Sequence, residues 1–336
     1  MTDSRLDQAR SFFKTHCPDG TDLKIAFADA SHRRYLRGQT ENGSVIIMDA
    51  PPEKESVDAF LRILQHLARE QLPVPQLWAF DREQGFLLLE DLGDTTLYSL
   101  VSKHGPTVNR QALLHITDLL VDVAKASITD LPVYDKRALK REISLFTDWY
   151  LPYRCKQSGK IWQAASADIF AERCDWLCTQ LAALPAVFVH RDYHSRNLMQ
   201  RPSAQDPAHR WVMIDFQDAI AGPLGYDLIS LLRDSYIDWP EALVNEAEQR
   251  FYHSVREQRL FTGSFADFTH QLGMIAVQRH LKVLGIFVRL SQRDEKHGYL
   301  ADLPLTYQHL QHALARVPEL APLRDIIEPF APEKTA

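Results

Sequence analysis

Val187-Phe-Val-His190-Arg-Asp192-Tyr-His-Ser-Arg-Asn197-Leu-Met199 is the most informative stretch of this 336-residue chain. Its apolar start predicts a short buried strand, and the polar residues that follow predict a loop. Five positions separate Asp192 from Asn197, so a tight loop would direct both side chains to one side. We expect His190 to brace this loop through hydrogen bonds. The stretch therefore predicts a strand that delivers a carboxylate and an amide to one site.

A second unit of the same kind follows further along the chain. Val212-Met-Ile214 predicts another short strand, and Asp215 stands at its end. Phosphoryl transfer requires a carboxylate that accepts the proton of the attacking hydroxyl, and oxygen ligands that hold Mg²⁺ against a triphosphate. We therefore predict Asp192 as the base and Asn197 and Asp215 as metal ligands. Each motif alone is common in loops and caps, so the prediction depends on their combination.

The surrounding pattern divides the chain into two parts. Residues 1–92 are rich in strand signals, with the hairpin dipeptide Asn42-Gly43 and one amphipathic helix. From Arg110 onward the apolar spacing is mostly helical. The pattern predicts an α+β fold, with a small β-rich lobe at 1–92 and a large, mainly helical lobe at 93–336. The predicted helices are Leu6–His16, Ser56–Glu70, Lys136–Tyr150, Ala167–Leu184, Tyr226–Tyr236, Glu241–Glu257, Phe265–Leu290 and Leu305–Val317.

Composition limits the classes of partner. Apolar residues make up 45% of the chain and charged residues 24%, which is typical of soluble globular proteins. The net charge of −6 argues against nucleic acid as the main partner, since phosphate backbones attract basic surfaces. Neither a signal peptide nor a membrane-spanning stretch is expected, and the four cysteines are expected to be reduced thiols of a cytoplasmic protein. No obligate protein partner is inferred.

The two strand–loop units resemble the catalytic loop and metal segment of the aminoglycoside phosphotransferase family, in the protein-kinase-like superfamily. The resemblance extends over most of the chain. It implies ATP bound between two lobes, with Mg²⁺ and with the adenine bonded to backbone of the hinge. The hinge matches Leu87–Leu92, so the implied contacts are backbone groups of Glu90 and Leu92, with Asp94 towards the ribose. A buried strand with a charged end, without any contact to a nucleotide, would have the same sequence pattern.

Two features of the family's usual nucleotide site are absent from the sequence. No Gly-x-Gly-x-x-Gly loop or Walker A motif is present, so the turn at Asp29–Arg34 is expected to cover the phosphates through backbone N–H groups and the Ser31 hydroxyl. The third strand carries Met48 where most relatives have a lysine. Arg33, Arg34 or Lys54 would then supply the cation, and we favour Arg34, because arginine grips phosphate through two bonds.

Further stretches resemble a subgroup of the family that acts on cell-wall amino sugars. They are Asp29–Tyr35, Met48–Pro52, Gln278–Leu290 and Gly298–Pro304. This resemblance implies that Asp192 takes a proton from the C1 hydroxyl of N-acetylmuramate or N-acetylglucosamine. The product would be a sugar 1-phosphate, which peptidoglycan recycling would carry towards UDP-N-acetylmuramate.

Sugar sites combine an aromatic face with polar groups that read hydroxyls and amides. A cation would suit the lactyl carboxylate of muramate. Core packing is the simpler explanation for Trp149 and Tyr150, and a helix cap is the simpler one for Asp227. The candidate sugar contacts are Trp149, Tyr150, Arg191, Gln217, Tyr226, Asp227, Arg233, His280 and Lys282.

Other functions stay open at this level. The acceptor could instead be an aminoglycoside, choline, homoserine or methylthioribose, but the basic run Gln278-Arg-His-Leu-Lys282 favours an anionic or neutral ligand. The missing lysine motivates a non-catalytic nucleotide-binding pseudokinase. A hydrolase is disfavoured, because the chain has no Gly-x-Ser-x-Gly elbow.

Overall fold

A computed structural model describes residues 4–28, 33–202 and 210–333. The chain forms two compact units. The smaller comprises Met1–Thr96 and Asn197–Asp218, and the larger comprises Leu97–Arg196 and Ala219–Ala336. The α+β class predicted from the sequence is confirmed. The functional lobe boundary after residue 92 stays a prediction.

An antiparallel five-stranded sheet organises the smaller unit, in the order β1-β2-β3-β5-β4. The β2–β3 hairpin closes where Thr40 pairs with Gly43, whose φ of +119° suits the predicted Asn42-Gly43 turn. A short antiparallel pair, β7–β8, also belongs to this unit. The bounds are α1 Ser4–His16, β1 Thr21–Ala28, β2 Arg34–Thr40, β3 Gly43–Asp49, α2 Asp58–Arg69, β4 Leu77–Asp81, β5 Phe86–Glu90, β7 Leu198–Gln200 and β8 Trp211–Met213.

The core of this unit lies between α1 and one face of the sheet. Phe12 and Phe13 of α1 pack with Leu36, Ile47 and Phe86 of the strands. Helix α2 buries the stripe that its periodicity predicts, namely Phe60, Ile63, Leu64 and Leu67. Burying such side chains contributes about 1.5–3 kcal/mol each, so this packing is what fixes the sheet.

The start of α2 differs from the prediction. The helix was predicted to begin at Ser56, whereas it begins at Asp58, with Val57 in the cap position and without a side-chain cap bond. The Ser56 hydroxyl still accepts the Asp58 N–H at 3.1 Å. The cap therefore acts one residue early, through a local turn that competes with helical geometry.

Helices make up most of the larger unit. The predicted helices of this part are confirmed, with shifted ends, and α3, α6 and α12 were not anticipated. Two short strands, β6 and β9, form an antiparallel pair. The bounds are α3 Leu97–His104, α4 Arg110–Lys125, α5 Lys136–Leu145, α6 Leu151–Ser158, α7 Ala164–Ala182, β6 Ala186–Val189, β9 Ile220–Pro223, α8 Tyr226–Leu232, α9 Glu241–Glu257, α10 Phe265–Arg293, α11 Leu303–Ala315 and α12 Ala321–Ile327.

Helix α10 is the central element of the larger unit. It begins with a capping box in which Ser264 and Asp267 satisfy each other's backbone N–H groups, and most of its length is buried. Predicted as one helix, Lys136–Tyr150 instead ends as α5 at Leu145 and continues as a π-helical turn over Phe146–Tyr150. This turn and α5 both pack against α10.

The cysteines and the apolarity of the helices complete the description of the fold. Cys17, Cys155, Cys174 and Cys178 are free thiols. Across the described ranges, none of the helices has both the length and the apolarity needed to cross a bilayer.

Candidate active site

The loop after β6 belongs to the larger unit, and a buried carboxylate holds its first residues. Asp227, near the start of α8, accepts the backbone N–H groups of His190 at 2.7 Å and of Arg191 at 3.0 Å. These bonds satisfy backbone groups that the loop would otherwise leave unpaired. Asp227 was a candidate sugar contact; with both carboxylate oxygens bonded to the loop, it acts as a brace.

A second carboxylate holds the far end of the loop. Asp234, which is fully buried just after α8, accepts the backbone N–H of Ser195 at 2.9 Å and that of Tyr236 at 3.0 Å. Helix α8 ends at Leu232 rather than at Tyr236, and this early end places Asp234 outside the helix. Sequence reasoning missed Asp234. Asp227 and Asp234, which belong to the same segment in and just after α8, thus hold the two ends of the loop.

Between these two anchors lies Asp192, the predicted base. Burial opposes its ionisation, but the positive charges of Lys282, His194 and Arg191 outweigh this effect and lower the pKa of its carboxyl. His190 is buried and packs edge-on against Tyr193 at 5.8 Å between ring centroids. The surroundings therefore keep Asp192 charged, as a proton acceptor must be.

A buried polar network surrounds Glu142 of α5. Its carboxylate binds the Arg191 guanidinium and the Tyr134 hydroxyl, and it accepts from Lys282 Nζ at 3.2 Å. Burial disfavours the charge on Glu142, yet Lys282 and Arg191 outweigh it and keep the pKa of Glu142 below its ordinary value. Lys282 also donates to the Tyr226 hydroxyl at 3.3 Å.

Sequence reasoning missed Glu142 as well. A signal was present, because Glu142 lies on the apolar face of α5 beside Leu139 and Ile143. An acidic residue on a buried face requires a charged partner. Three of the predicted sugar contacts, Arg191, Tyr226 and Lys282, are brought together by this network.

The predicted metal ligands lie in the smaller unit, side by side. Leu198 pairs with Met213 across β7 and β8, so Asn197 and Ile214 face each other, and the Ile214 N–H donates to the Asn197 carbonyl at 3.0 Å. The Asn197 amide donates to Asp215 Oδ2 at 3.2 Å. Asp215 has a left-handed φ of +66°, which turns its side chain away from the strand direction.

Gln217, a predicted sugar contact, supports the pair formed by Asn197 and Asp215. Its Nε2 donates to Asp215 Oδ1 at 2.7 Å. A carboxylate and an amide oxygen suit Mg²⁺, which takes few protein ligands and completes its shell with phosphates and water. No cluster of three or more His, Cys, Asp or Glu side chains fit to hold a metal occurs in the described ranges. The donor set fits a nucleotide-dependent magnesium site better than an all-protein cage.

The arginines proposed to replace the missing lysine are both paired with carboxylates. Arg33 binds Glu55, just before α2, and its side chain is only 5% exposed. Arg34 donates to Asp49 Oδ2 at 2.7 Å, and Arg5 shares the same carboxylate. Both guanidinium groups are therefore held by carboxylates of the smaller unit. Two arginines therefore meet at the Asp49 carboxylate beside β3.

Two further residues of the predicted nucleotide site are Met48, at the position of the missing lysine, and Ser31, in the predicted phosphate turn. Met48 is fully buried in β3, as its thioether suggests. Ser31, the proposed hydroxyl contact, lies outside the described residues.

The predicted hinge forms a tightly bonded corner of the smaller unit. Glu90 binds Arg201 at 2.6 Å, and its N–H donates to the Gln76 carbonyl at 2.9 Å. Leu92 is buried. Asp94 is 80% exposed and pairs with Arg37 at 2.9 Å, which lowers the pKa of its carboxyl.

Several predicted sugar contacts are core residues instead. Tyr150 is fully buried, and its hydroxyl donates to the Phe330 carbonyl at 2.9 Å. Arg233 is held by Glu241 at 2.9 Å. His280 donates through Nε2 to the Arg233 carbonyl at 3.1 Å, and burial lowers its pKa to about 3. Trp149 is half-buried in the π-helical turn. Tyr150, Arg233 and His280 are therefore withdrawn as sugar contacts, because their polar atoms are used internally.

Known proteins resemble this chain along most of its length. A protein named N-acetylmuramate/N-acetylglucosamine kinase from Pseudomonas aeruginosa is 38% identical over 308 residues, which cover 91% of this chain and 88% of that protein. The protein of the same name from Neisseria meningitidis serogroup B is 39% identical over 309 residues, covering 90% of this chain and 88% of that protein.

Solved structures show the same fold at low identity. Choline kinase LicA from Streptococcus pneumoniae has a TM-score of 0.60 and 14% identity, with 95% of this chain and 99% of that chain covered. The ADP-bound aminoglycoside phosphotransferase APH(2'')-Ib has a TM-score of 0.59 and 12% identity, with 94% and 100% covered. The likeness establishes a protein-kinase-like fold. The profile described as "Phosphotransferase enzyme family" matches residues 23–261, and the chain belongs to that family.

Proposed function

We propose that this protein is an ATP-dependent, Mg²⁺-requiring kinase that phosphorylates the anomeric hydroxyl of N-acetylmuramate and N-acetylglucosamine. The observation that carries the proposal is the 38–39% identity, over nine-tenths of the chain, to proteins named for these two sugars. The product would be a sugar 1-phosphate, the form that a nucleotidyltransferase converts to a UDP-sugar.

Asp192 takes the proton of the C1 hydroxyl in this scheme. Its low pKa makes it a weak base, but an anomeric hydroxyl is more acidic than an ordinary alcohol. The loose transition state of phosphoryl transfer also asks little of the base, because bond formation to the acceptor is late. The main task of Asp192 is then orientation, which the bonds of Asp227 and Asp234 to the loop backbone support.

Asn197 and Asp215 would hold Mg²⁺, whose charge offsets that of the phosphate oxygens. Gln217 would orient the Asp215 carboxylate through its 2.7 Å bond. Arg34 would face the phosphates from the group that it forms with Arg5 and Asp49. At the hinge, the Glu90 N–H is already bonded, so we assign the Glu90 carbonyl and the Leu92 backbone to adenine. Ribose contact by Asp94 would require its exposed pair with Arg37 to open.

For the sugar, Arg191 and Lys282 remain the proposed cations for a lactyl carboxylate. Both contact the carboxylate of Glu142, which holds the two cations next to each other. Trp149, half-buried, is the remaining aromatic candidate, and Tyr226 presents its hydroxyl to Lys282.

The test measures where the phosphate is attached. Purified protein, Mg²⁺ and γ-labelled ATP are incubated with N-acetylmuramate, N-acetylglucosamine and their 1-deoxy analogues. Transfer to C1 abolishes the reducing end, so a reducing-sugar assay should fall in step with label incorporation, and the 1-deoxy analogues should accept nothing.

Label on a sugar that keeps its reducing end would place the phosphate on another hydroxyl. Normal ATP binding without transfer to any amino sugar would support the pseudokinase. Transfer to choline or an aminoglycoside, but not to these sugars, would favour the other small-molecule kinases.

A further inference from the structure

Arg191, the residue directly before Asp192, has an unusual backbone. Its φ is +76°, in the left-handed region that favours glycine. A side chain of this size is rarely found there unless surrounding contacts enforce the conformation. The direction in which Asp192 leaves the loop depends on this backbone angle, because the two residues share a peptide bond.

Contacts from two helices meet on Arg191. Asp227 of α8 accepts its N–H at 3.0 Å, and the Ser230 hydroxyl donates to its carbonyl at 3.4 Å. Glu142 of α5 binds its guanidinium. The backbone and the side chain of this residue are therefore held independently, from different parts of the sequence.

Glu142 is itself immobilised. Lys282 Nζ lies 3.2 Å from its Oε2, and the Gln278 amide donates to the same oxygen at 3.4 Å, both from α10. The Tyr134 hydroxyl donates to it as well. The Glu142 side chain is 11% exposed and that of Lys282 8% exposed, so these bonds form largely out of water, where they are strong and costly to break.

We propose that Glu142 is a positioning residue for Asp192, acting through Arg191. Its carboxylate, fixed by Lys282, Gln278 and Tyr134, anchors the Arg191 guanidinium and so maintains the left-handed backbone that directs Asp192. The inference rests on the proposed function of Asp192 as the base. It assigns the charge of Lys282 first to Glu142 and only secondarily to a substrate.

Substituting glycine at position 191 distinguishes the positioning of Asp192 from a direct contact between Arg191 and the substrate. Arg191→Ala loses the anchor and keeps the strain of a β-carbon, whereas Arg191→Gly loses the anchor but adopts a left-handed φ without penalty. We expect Arg191→Ala to lower kcat by about 100-fold, the scale of a 1 Å misplacement, and Arg191→Gly to retain about tenfold more. KM for ATP should stay near wild type in both.

The second arm uses Glu142→Gln, which keeps the shape but removes the charge. In the wild-type background we expect Glu142→Gln to lower kcat by about tenfold. In the Arg191→Gly background it should lower kcat by less than about twofold, because the guanidinium that Glu142 binds is already absent. The matched control is Glu248→Gln. Glu248 is another buried carboxylate, paired with Arg316 at 2.9 Å, and its loss should lower stability without changing kcat.

The outcomes distinguish the explanations. With N-acetylglucosamine, which has no lactyl carboxylate for Arg191 to bind, equal kcat losses for Arg191→Ala and Arg191→Gly would mean that the left-handed backbone does not direct Asp192 and would overturn the proposal. A kcat loss in Glu248→Gln as large as that in Glu142→Gln would mean general destabilisation and would also overturn it. If Glu142→Gln does not fold, the comparison of the two Arg191 variants decides alone. An inactive wild type would count against the proposed function instead.

Discussion

At Gly285, α10 comes close to the backbone of α5, and replacing this glycine with alanine tests how that contact supports the site. A Cβ at this position would lie 2.3 Å from both the carbonyl carbon and the oxygen of Leu145. Ordinary contacts are near 3.4–4 Å, so α10 or the end of α5 would have to move by about 1 Å. Backbone atoms cannot rotate aside, as the tip of a side chain can.

The magnitude follows from two opposed effects. Alanine improves helix propensity by about 1 kcal/mol relative to glycine, whereas overpacking costs about 1–3 kcal/mol. Because the clash is with backbone, we place the cost at the upper end and expect a net loss of about 1–2 kcal/mol in the free energy of unfolding. Gly285 stands one turn beyond Lys282, and Leu145 one turn beyond Glu142. A 1 Å separation would therefore lengthen the 3.2 Å bond between Lys282 and Glu142 beyond hydrogen-bonding range.

Urea unfolding and steady-state kinetics measure the two effects separately. Gly285→Ala should lower both the unfolding midpoint and kcat. Gly298→Ala, in the 3₁₀-helical turn His297–Asp302 that follows α10, is the control, since a Cβ there would point into open space. It should lie within about 0.5 kcal/mol of wild type. A Gly285→Ala protein as stable and as active as wild type would show that the helices do not meet closely there.

The remaining predictions concern carboxylates. Asp192→Asn should lower kcat by about 100- to 10,000-fold while leaving the Kd of a nonhydrolysable ATP analogue near wild type, and retention of turnover would refute the base assignment. Asp215→Ala should weaken the Mg²⁺-dependent part of nucleotide binding, which titration calorimetry with and without Mg²⁺ would measure; an unchanged Mg²⁺ dependence would argue against a ligand role. Burial raises the pKa of Asp302 to about 6, against the lowering effect of Arg196 and with an added rise from Asp234. Because the folded state favours the neutral acid, the contribution of Asp302 to the free energy of unfolding is fully present below about pH 4 and is lost as the pH rises through 6. The free energy of unfolding of Asp302→Asn should therefore depend less on pH between 4 and 6 than that of the wild type. A wild-type profile already flat there would contradict it.

Local patterns predicted the framework well. The hairpin at Asn42-Gly43, the stripe of α2 and the strand before His190 follow from turn chemistry and apolar periodicity, which act over a few residues. The fold class was therefore accessible from the sequence. The spacing of Asp192, Asn197 and Asp215 also placed each of them at the end of a short strand or in the loop next to it.

The supporting residues were not accessible in the same way. Glu142 and Gln278 are 136 positions apart, and nothing local to either indicates that they bond to each other. Tyr150 is the reverse case, a residue that was predicted to contact the ligand and lies in the core. It was proposed for the sugar because an aromatic ring suits carbohydrate, but whether a ring faces a ligand or the core depends on what packs against it.

The sequence by itself determined most of the elements and the α+β class, because residue type and spacing specify these locally, and it supplied the prediction that Asp192, Asn197 and Asp215 are chemically active. Tertiary structure alone decided which charges are matched, by bringing α5, α8 and α10 together around Arg191. The physical reason is that a buried charge is stable only next to a group of opposite charge. Here that group belongs to a distant part of the sequence, so packing brings the two together and sequence spacing does not reveal it.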